Sequence, residues 1–433
     1  MSYSYHNQKW IQKKIQERIN VLVKQILIDL PETKSIILAG GFGKGEGGIR
    51  IRPNKKIELI NDFDVYIITN NVISEKRLNE TANKVTKEYG YNAVDFKRFN
   101  RKKFSNMFYV DLKCIPLKKL NKLPPMLRYY DIRNNSKVIW GKDYRNLIPN
   151  YKVSDLPLGE GLRLLLNRAT HLLQYFSIDF LDEINLKEKE WLEVFFSKAI
   201  LDSAEAIEIL REDLSPNIIV RNKKFQEKMR NESIIKNCPE FLKLLDKYTK
   251  FRITSKIRIK SHVQEWFLIK NVILKIIKNY VSEMTGKKIK NYEELSWILR
   301  KKIWKKYLRP YVSFKRRLII KTSMFDDFLT FFGQYYLNFL YYVRIIQAYK
   351  KFNLNALIIP RSPDQRFFSS MILLLSCLKK EGIDEKTLKL AEKRLKEVYP
   401  VKKIKIKNPK KYWEKIKNEF CNAYLLYSFL KIG

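Results

Sequence analysis

Two aspartates separated by one residue, Asp62 and Asp64, are the side chains best suited to chemistry in this 433-residue chain. They begin the run DFDVYIIT at 62–69, which has the composition of a buried strand. Because side chains alternate along a strand, both carboxylates lie on one face, and Phe63 and Val65 lie on the other. Neighbouring carboxylates repel each other unless a cation lies between them, and Mg²⁺ binds one or two carboxylates together with substrate phosphates. The pair therefore predicts a divalent-metal site.

A third acidic residue, Asp111, lies within FYVDLKCIP at 108–116, an otherwise apolar strand. A carboxylate in that setting needs a partner or a metal ion, because burying an unpaired charge is costly. We expect it to complete the site. Two alternatives stay open at this point: Asp111 pairs with a lysine or arginine, or Asp95 of NAVDFKRF supplies the third carboxylate.

The segment GGFGKGEGG at 40–48 contains six glycines and follows the apolar run SIILA. Glycine permits positive φ and a close approach by another group. A Walker A loop needs serine or threonine directly after its lysine, but Gly45 stands there after Lys44. A dinucleotide G-x-G-x-x-G should open a helix, whereas IRIRPNKKIELIN follows here and predicts a hairpin. The protein-kinase glycine loop is excluded because no HRD or DFG follows.

Together, AGGFGKGEG, NDFDVYII and FYVDLKC resemble the nucleotidyltransferase superfamily typified by DNA polymerase β, over about residues 35–140. That family has a strand, Gly-Gly or Gly-Ser, a short helix start, paired aspartates on the next strand, and a third acid on a neighbouring strand. The resemblance implies that Asp62, Asp64 and Asp111 bind two Mg²⁺ or Mn²⁺ ions. It also implies that Asp111 helps to deprotonate an acceptor hydroxyl.

By the same resemblance, Gly40 and Gly41 face the triphosphate of a nucleotide substrate, with ATP expected, and Lys44 and Glu46 correspond to an Arg-Gly-Glu common in the family. Glu46 could equally only brace the loop. Gly41 stands where serine is more frequent, and the 20 residues between Gly41 and Asp62 are a longer gap than usual. The implied reaction transfers an NMP from an NTP to an acceptor hydroxyl and releases pyrophosphate.

The hydrophobic periodicity predicts mixed α and β structure at 1–150, followed by an all-α domain at 151–433 in one lobe or two. The resemblance implies an α+β fold for the first part, with a mixed sheet and flanking helices. The first is expected to be the nucleotidyltransferase domain and the second to bind the acceptor. The early elements are a helix at 8–29, a strand at 35–41 and a helix at 73–90. The later helices are predicted at 158–176, 187–212, 239–250, 262–284, 292–308, 325–351, 364–381, 384–398 and 410–430.

The composition is strongly basic, with 86 Lys and Arg against 45 Asp and Glu and a formal net charge of +41. Such a charge favours polyanionic partners, although a lysine-rich composition throughout explains it as well. Aromatic residues are interleaved with the basic residues of the run at 300–321, and a second basic run lies at 401–417. These runs could bind RNA or form a solvated surface. An RNA 3′-end nucleotidyltransferase and a catalytically silent nucleotide or RNA binder are therefore the alternatives.

Other features bear on location. The four cysteines are scattered and form no C-x-x-C pair, which fits a reducing compartment, and the first residues contain no apolar signal core. The apolar stretch 328–349 contains Gln334, Asn338 and Arg344, so we expect a buried core helix and no integral membrane segment. These features predict a cytoplasmic protein. His171 is expected to be a structural histidine.

Overall fold

The structure is a computed structural model that describes residues 2–92, 108–301, 303, 326–349, 363–401 and 407–428. Within these ranges the chain has a mixed α+β fold, with a small mixed sheet and many helices. All the strands of the described residues lie between Thr33 and Gly141, and the regular elements that follow are helices.

The bounds of the elements are as follows. The strands are β1 (Thr33–Ala39), β2 (Ile49–Ile51), β3 (Ile57–Leu59), β4 (Phe63–Thr69), β5 (Val110–Pro116) and β6 (Lys137–Gly141). The helices are α1 (Lys9–Asp29), α2 (Gly40–Lys44), α3 (Glu75–Glu88), α4 (Leu127–Asn135), α5 (Leu158–Tyr175), α6 (Leu186–Leu210), α7 (Ile218–Glu227), α8 (Ser233–Lys236), α9 (Glu240–Thr254), α10 (His262–Thr285), α11 (Tyr292–Lys301), α12 (Asp326–Tyr349), α13 (Pro363–Cys377), α14 (Glu385–Lys396) and α15 (Pro409–Ser428).

The main sheet has the strand order β5-β4-β1-β6. β1 pairs antiparallel with both β4 and β6, and β4 pairs parallel with β5. A parallel pair needs a crossover connection, and α3 lies in the chain between β4 and β5. The predicted strands at 35–41, 62–69 and 108–116 are thus confirmed, with ends shifted by two residues or fewer.

Helix α1 covers one face of this sheet with one apolar stripe, which includes Ile11, Ile15 and Ile19. Leu22 and Ile26 continue the buried stripe, and Val23 is partly buried beside it. Helix α3 begins at Ser74, whose side chain accepts a hydrogen bond from the backbone amide of residue 77, as an N-cap residue does.

The segment after the glycine-rich loop is a hairpin, as predicted. β2 and β3 pair antiparallel, with Ile49 opposite Leu59, and a short 3₁₀ turn at Pro53–Lys55 joins them. The loop itself forms the five-residue helix α2 directly after β1. This arrangement of a strand, a short helix and a hairpin differs from the strand-to-long-helix turn that a dinucleotide fingerprint requires.

The helices from α5 onward surround the largest apolar core of the described residues. Most of the predicted helices are present, but α4, α7, α8 and the edge strand β6 were not predicted as such. Helix α12 is buried on one side, at Asn338, Tyr341 and Ile345. Its other side exposes aromatic residues such as Phe332 and Tyr336, so the expectation of a wholly buried helix is wrong for that face. Among the described residues, no helix has the length and apolarity needed to cross a membrane.

Candidate functional site

The strand register places Asp64 level with Ala39 of β1 on one side and with Asp111 of β5 on the other. Gly40 follows β1 at once with φ +60°, and a Cβ on it would lie 2.0 Å from Oδ2 of Asp64. Position 40 therefore requires glycine both for its backbone conformation and for the approach of this carboxylate. The structure thus brings together Gly40, Asp62, Asp64 and Asp111 at one end of the sheet.

We call Asp62, Asp64 and Asp111 the acidic cluster. Within it, the ionised form of Asp64 is disfavoured by its surroundings. Burial, followed by the charges of Asp62 and Asp111, raises the pKa of Asp64 to about 7, and the lysines at 113 and 198 only partly oppose this. Its carboxyl group is therefore close to half protonated at neutral pH. A cation beside it would favour the ionised form.

Asp62 behaves in the opposite way. Burial alone would raise its pKa, but the charge of Lys198 and the hydroxyl of Tyr109 lower it to about 2. The ammonium of Lys198 lies 3.4 Å from Oδ1 of Asp62. Asp111 is paired with Lys113, two residues along the same strand. Two of the three carboxylates therefore have lysine counter-ions, and Asp64 forms no ion pair with a basic side chain of the described residues.

The acidic cluster is a candidate site for a divalent cation. Within the described part of the chain, no group of three or more His, Cys, Asp or Glu side chains has the arrangement of a metal site. The donor chemistry nevertheless fits Mg²⁺, which takes hard carboxylate oxygens, and a positive charge there would relieve the repulsion that raises the pKa of Asp64. Such a cation would compete with Lys198 and Lys113 for the carboxylates of Asp62 and Asp111.

Lys44 is engaged elsewhere in the loop. Its ammonium lies 3.0 Å from Oδ2 of Asp131 on α4 and 3.4 Å from Oε1 of Glu205 on α6. Burial opposes its charge, but these two carboxylates outweigh burial and raise the pKa of Lys44. In the structure, Asp131 and Glu205 already neutralise the charge of Lys44. The contact between Lys44 and a triphosphate stays a prediction.

Glu46 is also occupied, by the helical part of the chain. Its Oε1 accepts hydrogen bonds from the backbone amide of Ile218, the first residue of α7, at 2.9 Å, and from the hydroxyl of Tyr5 at 3.0 Å. The side chain is only 9% exposed. This geometry favours the bracing role for Glu46 that the sequence left open.

Two basic residues at this site were not predicted, Lys198 of α6 and Arg252 of α9. Arg252 lies over the loop, with Nη2 3.5 Å from the position of a Cβ on Gly41. A signal for Lys198 was present in the sequence, because charged residues recur at 198, 202, 205 and 208 along the mostly apolar second half of helix α6. That spacing of three or four puts a polar stripe on one face of a helix. Nothing comparable marked Arg252.

Helix α5 contributes a second polar group near the acidic cluster. Arg168 pairs with Asp202 of α6, and its Nη1 lies 2.9 Å from Nδ1 of His171. Burial and the charge of Arg168 lower the pKa of His171, so its ring is neutral and Nδ1 accepts the hydrogen bond. The charge of Asp62 acts on both residues. His171 is thus held by a partner, in keeping with the structural role expected for it.

Three of the sequence-derived candidates fall outside the described residues. They are the rival acid Asp95, most of the basic run at 300–321, and positions 402–406 of the second basic run.

Comparison of the chain with family models, curated proteins and solved structures finds no match. The geometry of the site and the pattern of its motifs are the features of this chain that bear on its function.

Proposed function

We propose that the protein is a metal-dependent nucleotidyltransferase that moves an NMP from an NTP, with ATP expected, to an acceptor hydroxyl and releases pyrophosphate. Residues 1–150 would form the catalytic domain, and the helices of 151–433 would shape the acceptor site. The observation that supports this most is the position of Asp64, beside Asp62 and Asp111 and against Gly40, with a pKa raised by burial and by the neighbouring charges.

Mg²⁺ or Mn²⁺, when bound, would supply charge neutralisation for the attacking and leaving oxygens of an in-line displacement. The carboxylates of Asp62 and Asp64 would hold the ions and so position the triphosphate. Asp111 would accept the proton of the acceptor hydroxyl, which needs a base within hydrogen-bonding reach. Backbone amides at the start of the loop would bind the phosphates, since those of residues 45–48 already donate to protein acceptors. The scattered free cysteines fit a reducing, cytoplasmic setting for this reaction.

The test uses each NTP labelled at the α-phosphate, with Mg²⁺ or Mn²⁺ and a cell extract as the source of acceptors. We expect label on an acceptor together with release of pyrophosphate. The double variant Asp62→Ala/Asp64→Ala should lower label transfer and pyrophosphate release by more than about 100-fold. Mutating residues that only support a metal ligand costs about 10- to 100-fold, and removal of the ligands themselves should cost more. The matched control is Asp182→Ala, which removes an exposed carboxylate far along the chain. Equal turnover by the double variant and this control would refute the proposal.

The same assay separates the alternatives. Release of pyrophosphate that depends on added tRNA or oligo-RNA would identify an RNA 3′-end transferase. Nucleotide binding with no turnover for any acceptor would identify a silent binder.

A further inference from the structure

Arg252 lies in the last turn of α9 and reaches the glycine-rich loop from the helical part of the chain. A Cβ on Gly48 would lie 2.8 Å from Nη1 of Arg252 and 2.6 Å from Oδ1 of Asn61, and a Cβ on Gly41 would lie 3.5 Å from Nη2 of Arg252. Glycine at 48 therefore makes room for a guanidinium group. The loop is shaped around this cation as well as around Asp64.

Among the described residues, the side chain of Arg252 has no hydrogen-bond acceptor and forms no ion pair within 4.0 Å. Three other basic side chains at the site are paired with carboxylates, Lys44 with Glu205, Lys198 with Asp62, and Arg168 with Asp202. A fourth, Lys137, donates a hydrogen bond to the carbonyl oxygen of Gly43. Arg252 is the exception.

That exception has an energetic consequence. Burial lowers the pKa of Arg252, and the charges of Glu46, Asp202 and Asp62 oppose this without any of them reaching ion-pair distance. A guanidinium has five N–H donors, and those of Arg252, which is partly exposed, meet no acceptor among the described residues. The group is therefore available to an acceptor that is not part of the described chain.

The surroundings point to phosphate oxygens as that acceptor. A guanidinium fork matches phosphate geometry and binds it in a bidentate way. The backbone amide of Gly48 donates to Asn61 at 2.9 Å, and Asn61 directly precedes Asp62. An anion held by Arg252 would thus lie beside the chain segment that leads into the acidic cluster.

We propose that Arg252, together with the loop at Gly41 and Gly48, forms a polyphosphate-binding subsite for the β- and γ-phosphates of the nucleotide. This assignment rests on the proposed function for its substrate, but the binding step can be measured without any transfer reaction. In it, the helical part supplies the cation, and the sheet-bearing part supplies the acidic cluster.

The experiment measures binding of inorganic tripolyphosphate to the full chain by titration calorimetry, without divalent cations. Salt of about 0.3 M is used to suppress non-specific binding to a chain of this charge. We expect one site per chain in the wild type and about 10- to 100-fold weaker binding by Arg252→Ala, as for loss of hydrogen bonds to a charged group. Arg252→Lys, which keeps the charge without the fork, should fall between the two.

The control variant is Arg258→Ala, which removes an exposed positive charge shortly after the same helix and should bind as the wild type does. Thermal unfolding of each variant shows whether it is folded. If Arg252→Ala and Arg258→Ala bind tripolyphosphate equally, or if the wild type has no site, the inference is wrong. Binding that depends on Arg252 in a protein without transferase activity would uphold the subsite and refute the proposed function. Transferase activity in a protein whose tripolyphosphate binding does not depend on Arg252 would uphold the proposed function and refute the subsite.

Discussion

Replacing Asp64 by asparagine should stabilise the metal-free protein at pH 8. Raising the pKa of Asp64 from 3.8 to about 7 corresponds to about 4 kcal/mol of unfolding free energy lost once the pH exceeds 7. Solvent access to the partly buried carboxyl reduces this figure, so we expect Asp64→Asn to gain about 1–3 kcal/mol. A group with a raised pKa is protonated in the folded state at low pH, so its penalty is absent below pH 4. The gain should increase between about pH 4 and pH 7 and level off above.

The assay is urea or thermal unfolding of the wild type and Asp64→Asn in EDTA across this pH range. Asp62→Asn is the control with the opposite sign. Its lowered pKa of about 2 means that the ionised form stabilises the fold at any pH above about 4, so this variant should be less stable than the wild type at both pH 5.5 and pH 8. If Asp64→Asn is no more stable than the wild type at pH 8, or if its gain does not depend on pH, the electrostatic account of the acidic cluster is wrong.

Three further outcomes follow from the loop and its neighbours. Mn²⁺ should raise the unfolding temperature of the wild type more at pH 8 than at pH 6, because the ion competes with the proton on Asp64. In the same thermal scans, the effect of Mn²⁺ on Asp64→Asn should not depend on pH. Lys44→Met should lower the unfolding free energy by about 3 kcal/mol in urea titrations, since, among the described residues, it leaves Asp131 without an ion pair and Glu205 with Arg221 alone. Glu46→Gln should lower it by only about 1 kcal/mol, by weakening the hydrogen bonds from Ile218 and Tyr5. Gly40→Ala should abolish nucleotidyl transfer in the labelling assay, because the added Cβ collides with Asp64. Gly90→Ala is the control and should retain activity, because Gly90 also has positive φ but has open space around it. Equal activities of the two variants would contradict the packing argument.

The sequence was most informative where local patterns decide the structure. Residue alternation predicted that Asp62 and Asp64 share one face, and Asp62 lies directly before β4 while Asp64 lies in it. The apolar run around Asp111 indicated a further strand. The hairpin after the loop could be predicted from alternation around Pro53. Each of these signals spans fewer than about a dozen residues and follows from strand geometry.

The partners of Lys44, Glu46 and Arg252 could not be predicted, because they depend on contacts between distant parts of the chain. Glu46 and Ile218 are 172 residues apart in sequence. No periodicity indicates which helix end will meet a given loop, and helix α7, which supplies that amide, was itself missed. The family pattern suggested a triphosphate for Lys44, whereas the fold surrounds it with two carboxylates.

The bonds of Glu46 to α7 and of Lys44 to α6 have a consequence for folding and for fragments of the chain. Contacts that join residues so far apart form late, because closing a long loop precedes any gain from the contact. A fragment ending near residue 150 would leave Lys44 without Glu205, and Glu46 without Ile218, while Arg252 would be missing altogether. The glycine-rich loop should therefore acquire its shape only when the helices have docked. The first third of the chain contains Asp62, Asp64 and Asp111, but the glycine-rich loop beside them depends on helices from the rest of the chain.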